Sequence, residues 1–114
     1  MTTPSLPTRE TEVEERTEVE PERLYHLVLL DDDQHSYQYV IEMLASIFGY
    51  GSEKAWTLAR IVDTEGRAIL ETASHAQCER HQSQIHAYGA DSRIPTSVGS
   101  MSAVIEEAGT PPQT

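Results

Sequence analysis

The chain has 114 residues, 38% of them hydrophobic, and its 19 acidic against 8 basic side chains set the net charge at −11. That balance argues against binding nucleic acid phosphates, which needs clustered Lys and Arg, and against an anionic membrane surface. No apolar run approaches a membrane span and no signal-type core follows a basic start; the lone Cys78 excludes an internal disulfide, so a reducing cytoplasm is the expected compartment.

Residues 1–23 carry seven Glu, three Arg and three Pro among few apolar residues, too little burial to offset ordering entropy, and predict a disordered acidic arm. Residues 24–30 are a short apolar run stopped by Asp31, Asp32 and Asp33, which predicts a strand. Ser36 fits an N-cap, and Tyr37, Val40, Ile41, Leu44, Ile47 and Phe48 recur behind it at helical spacing. Gly49 suits a left-handed helix end and Ser52 a second cap. Ala55, Ala59 and Val62, flanked by Trp56 and Leu58, form the apolar face of a second helix that Gly66 ends. Residues 67–73 read as a second strand. Ser74 and Gln77 make a capping box for a third helix reaching to about Gly89, with a thin apolar face of Cys78, Ile85 and Tyr88. "DSRIPTSVGS" reads as loop, residues 101–107 as a last strand, and 109–114 as a flexible tail. The order β-α-α-β-α-β predicts an α+β domain over 24–108, a small antiparallel sheet of about three strands with three helices packed on it. Its length of about 85 residues is small but sufficient to fold alone.

Several constellations invite a chemical reading. Asp31, Asp33, His35 and Glu42 partly imitate a calcium loop, but His35 and Ser36 stand where Asp or Asn and then Gly belong, and a strand precedes. His75, Cys78 and His81 are spaced by three on the third helix. They are soft metal ligands, but no fourth ligand, CxxC or HExxH accompanies them. A polar helix with one buried thiol is the simpler reading, and no metal or other cofactor is expected. "GYGSEK" holds only a fragment of a phosphate loop, between two helices, where a connector suffices. There is no GxSxG, and nothing in the sequence activates Cys78, so no enzyme is expected. The three aspartates fit a solvated turn that compensates a helix dipole, and equally a site awaiting a cation. Periodicity leaves both open.

"YHLVLLDDDQHSYQYVIEML", with "EKAWTLARIVDTEGRAIL" after it, resembles the Clp protease adaptor family, ClpS. The resemblance runs from Tyr25 to about Ala73 and more weakly beyond. The family pattern is an apolar strand, Asn-Asp-Asp, a helix, and a second helix ending in a His-x-x-Gly-Lys-Ala type motif. "DDD" and "DTEGRA" stand at those two motifs without a gap between them, and "VIEEA" looks like the acidic last strand. The resemblance implies an adaptor that binds bulky apolar N-terminal residues, the N-degrons, and hands the substrate to a Clp-type AAA+ unfoldase coupled to a protease. It places Asp31, Asp32, Asp33 and Asp63 around the free α-ammonium. Tyr37, Ala59, Val62 and Met101 then wall the side-chain pocket, with His35 at its rim. Ala76 and His81 stand where the family's acid and base face the unfoldase. The departures are Asp31 for Asn, Asp63 for His, and Ala59 for a gating Met, the last implying a roomier pocket. Two alternatives stand beside this: a divergent scaffold or inhibitor that docks an unfoldase without reading N-termini, and a metal-binding protein using His75, Cys78 and His81 or the aspartates.

Overall fold

The computed structural model describes residues 23–109. The expected acidic arm and flexible tail lie outside the described residues, apart from Arg23 and Gly109. The elements run β1 (Tyr25–Leu30), α1 (Tyr37–Phe48), α2 (Ser52–Glu65), β2 (Arg67–Ala73), α3 (His75–His86) and β3 (Ala103–Glu107). The sheet is antiparallel, with strand order β2-β1-β3.

The apolar run is the central strand, which is why it carries almost no polar residue. Leu27 and Leu29 are fully buried and join the core formed with the helices. Each contributes about 1.5–3 kcal/mol by leaving water. Val28 alternates to the other face and is also fully buried. There Arg67 of β2 and Glu106 of β3 pair at 2.6 Å across β1.

Local signals set most element ends. Ser36 caps α1 by accepting the Tyr39 N–H, and Ser74 caps α3 by accepting that of Gln77. Gly49 and Gly66 close α1 and α2 in the left-handed conformation, at φ 74° and 86°. Three expectations are corrected. The cap of α2 is Gly51, whose extended backbone offers its carbonyl to Ala55 N–H, and Ser52 is already the first helical residue. α3 stops at His86 rather than near Gly89, and β3 begins at Ala103, two residues later than read. The side chains of Gln82 and His86 on α3 bond the carbonyl and N–H of Ala103 and so fix where that strand starts.

The buried stripe of α1 is Tyr39, Val40, Met43 and Leu44. Tyr37, expected on that stripe, is 37% exposed. The helix is turned so that the Tyr39 hydroxyl reaches the Gly89 carbonyl, and this leaves Tyr37 part-exposed and facing Asp63 near the end of α2.

Candidate functional site

Strand register builds one corner of the molecule. Leu30 pairs with Arg67, so the end of β1 meets the end of α2, and Asp31 N–H donates to the Gly66 carbonyl at 3.0 Å. Asp63 lies three residues before Gly66, on the last turn of α2. α1 starts at Tyr37, just past the aspartates. Its N-terminal partial positive charge compensates carboxylates there, while the C-terminal end of α2 adds partial negative charge. Partial burial, followed by the charge of Asp63, pushes the Asp31 carboxyl above its ordinary range. Asp32 and Asp33 add to this, and a backbone hydrogen bond from Asp32 opposes it. Among the described residues no Lys or Arg pairs with Asp31, Asp33 or Asp63.

Asp32 shapes the turn. Its Oδ1 accepts from Gln34 N–H at 2.8 Å and lies 2.8 Å from His35 Nδ1. His35 Nε2 is 2.7 Å from the Gly99 carbonyl. Carbonyl and carboxylate oxygens only accept, so the imidazole is the donor in any hydrogen bond to either. The His35 side chain is 3% exposed and lies against the Tyr39 ring. It is therefore a buried tie between the aspartate turn and the loop before β3, where the resemblance implied a pocket rim. Asp33 is exposed and accepts from the Gln34 side chain.

The residue that sequence reasoning missed is Asp91, buried inside the segment read as loop. Its Oδ2 accepts from both N–H and Oγ of Ser36 at 2.7 Å, and its Oδ1 from Arg93 N–H and guanidinium. Burial pushes its carboxyl up, but the hydrogen bonds from Ser36 and Arg93 outweigh that and hold it well below the ordinary range. Arg93 also reaches Glu42 on α1. Asp91 thereby anchors the start of α1, and with it the aspartate turn. The available signal was an acid two residues before an Arg; its partner Ser36 is too distant in sequence for a local pattern to show it.

The expected pocket walls are closed. Ala59 is 3% exposed, Val62 2% and Met101 2%, and all three belong to the core. Tyr37 spans the mouth, its hydroxyl donating to Asp63 Oδ2 at 2.8 Å. A shallow groove lined by Ile41, Ser52, Glu53 and Trp56 lies at the opposite end of α2.

On α3, Ala76 is exposed. His81 is turned inward, 2.7 Å from Glu71 Oε2 and packed on Phe48. Cys78 is buried, with its thiol towards the Tyr25 carbonyl, and His75 meets the Tyr25 ring edge-on. Cys78 and His75 both meet Tyr25 while His81 meets Glu71, and no group of three His, Cys, Asp or Glu among the described residues is placed to hold a metal. No helix among the described residues is long and apolar enough to cross a membrane.

Comparison with known proteins bears on this corner. Residues 20–98 match the family described as ATP-dependent Clp protease adaptor protein ClpS. The ATP-dependent Clp protease adapter protein ClpS of Vibrio atlanticus is 36% identical over 81 residues, 71% of this chain and 76% of that protein. Its Vibrio cholerae counterpart is 33% identical over the same shares. The structure of Agrobacterium tumefaciens ClpS2 bound to L-phenylalaninamide has the same fold, with a TM-score of 0.66 at 17% identity over 76% of this chain and 99% of that one. Matched over more than half its length by the family and by relatives of this identity, the chain belongs to the ClpS family of Clp protease adaptor proteins.

Proposed function

We propose that this adaptor reads N-degrons: Asp31, Asp32, Asp33 and Asp63 take the free α-ammonium of a substrate's first residue, and the substrate is delivered to a Clp-type AAA+ unfoldase and its protease. The observation that carries the reading is electrostatic. Asp31 is pushed up by partial burial and by the acids around it, and no described Lys or Arg answers Asp31, Asp33 or Asp63. An ammonium brings one charge and three donors, and carboxylates accept such bonds about twice as strongly as neutral groups do. L-phenylalaninamide, held by the Agrobacterium protein, offers the same free amine.

Membership of an adaptor family supports a non-catalytic role. Burial, with the Glu71 charge, pushes the Cys78 thiol up, which leaves it a poor nucleophile. On α3 the exposed Ala76 side is the natural approach for the unfoldase, while the inward-turned His81 offers it less than the resemblance implied. The place of action is the cytoplasm, where a lone thiol stays reduced.

Asp32→Asn tests the amine reading. Asn keeps an oxygen for Gln34 N–H and His35 but loses the charge. The affinity of free-amine peptides should fall at least tenfold, with the urea midpoint of unfolding nearly unchanged. Binding within twofold of wild type overturns the reading. Asp32→Ala is the poorer test, because it also removes the turn's hydrogen bonds, at about 1–2 kcal/mol.

The closed pocket favours one second reading, a scaffold or inhibitor that docks an unfoldase without reading N-termini. It predicts unfoldase binding with no amine-dependent peptide binding.

A further inference from the structure

Asp63, a departure from the family pattern, and Tyr37, expected in the pocket wall, meet each other. Tyr37 is the first residue of α1, and Asp63 lies on the last turn of α2. The 2.8 Å bond between them ties the two helices together across the opening. Behind that tie, Ala59, Val62 and Met101 are almost wholly buried in the core. Residues so little accessible present no open surface to a large side chain while the helix ends stay joined.

We propose that the Tyr37–Asp63 bond is a latch that makes Tyr37 a specificity-determining residue: with the latch shut the site takes N-termini with small first side chains such as Ala or Ser, and bulky ones enter only after Tyr37 releases Asp63. This rests on the amine reading above. The phenol engages only Oδ2 of Asp63, so the carboxylate keeps Oδ1 for the α-ammonium while the latch is shut and offers both oxygens once a bulky residue has displaced the ring. The bond to Asp63 is also the leading cause that pushes the Tyr37 hydroxyl above its ordinary pKa, as a phenol donating to an anion requires. Tyr37 is part-exposed, so removing its hydroxyl leaves the core intact.

The test uses the full chain and three short peptides that differ only in a first residue of Ala, Leu or Phe, each free and N-acetylated. Affinities are measured for wild type, Tyr37→Phe and Asp63→Ala. Tyr37→Phe removes only the latching oxygen. The ratio of Leu-first to Ala-first affinity should rise at least fivefold over wild type, and the Phe-first ratio likewise. In Asp63→Ala the ratios should rise too, while every free peptide binds more weakly because an amine acceptor is gone. If the free amine is required but the Tyr37→Phe ratios stay within twofold of wild type, the latch is overturned and the amine reading stands. If acetylated peptides bind as well as free ones in all three proteins, the amine reading fails and this inference fails with it.

Discussion

Asp91 shows what a single buried carboxylate does here. It accepts from Ser36 N–H and Oγ and from Arg93, with its side chain wholly buried. Asp91→Asn turns one accepting oxygen into an amide that faces existing donors. Stability should fall by about 3 kcal/mol in urea unfolding, since hydrogen bonds to a buried charge are among the costliest to break. A loss under about 1 kcal/mol contradicts the anchoring role. The pH dependence has a definite sign. The folded carboxyl is held below its unfolded value, so the stability it contributes is present above about pH 4 and is lost as pH falls through the acid range below. Acid unfolding should therefore be shallower in Asp91→Asn than in wild type.

Among the elements, those bounded by strong local chemistry were legible in the sequence and those set by distant partners were not. β1 was legible because an apolar run meets three acids, and α1 and α3 because Ser36 and Ser74 cap them through their own side chains. Gly66 was legible as the end of α2, and its positive φ confirms why Gly stands there. The start of α2 was missed by one residue because a backbone-only cap at Gly51 leaves no side-chain mark. Tyr39 in the core, His35 beneath the turn, and Asp91 under Ser36 each depend on partners dozens of residues away. The Tyr37–Asp63 bond was equally hidden, although Asp63 stood out as a departure from the family pattern. Gly66→Ala tests the element scale. A Cβ there meets nothing within 4 Å, so the cost is the left-handed backbone alone, about 1 kcal/mol. The melting temperature should fall by about 5 °C, and no change would show that the α2 end does not need that conformation.

At the scale of the whole molecule, a net charge of −11 draws any cationic N-terminus towards the protein, and the corner at the end of β1 concentrates that field. Raising salt to about 0.15 M shortens the screening length to about 8 Å. Affinity for a free-amine peptide should fall severalfold from low salt in wild type and less steeply in Asp63→Asn; a flat response in wild type contradicts a site built of several carboxylates. General attraction to an acidic protein also depends on salt, however, and only recognition of the amine itself separates the two. Calorimetric titration of the full chain at about 0.15 M salt with one short peptide and its N-acetylated twin makes that separation. Acetylation removes the positive charge of a group whose ordinary pKa is about 7.7–8.0, and it leaves the rest of the peptide unchanged. The free peptide should bind at least tenfold more tightly than its twin; affinities within twofold of each other would contradict the reading of the aspartate corner as an α-amine site.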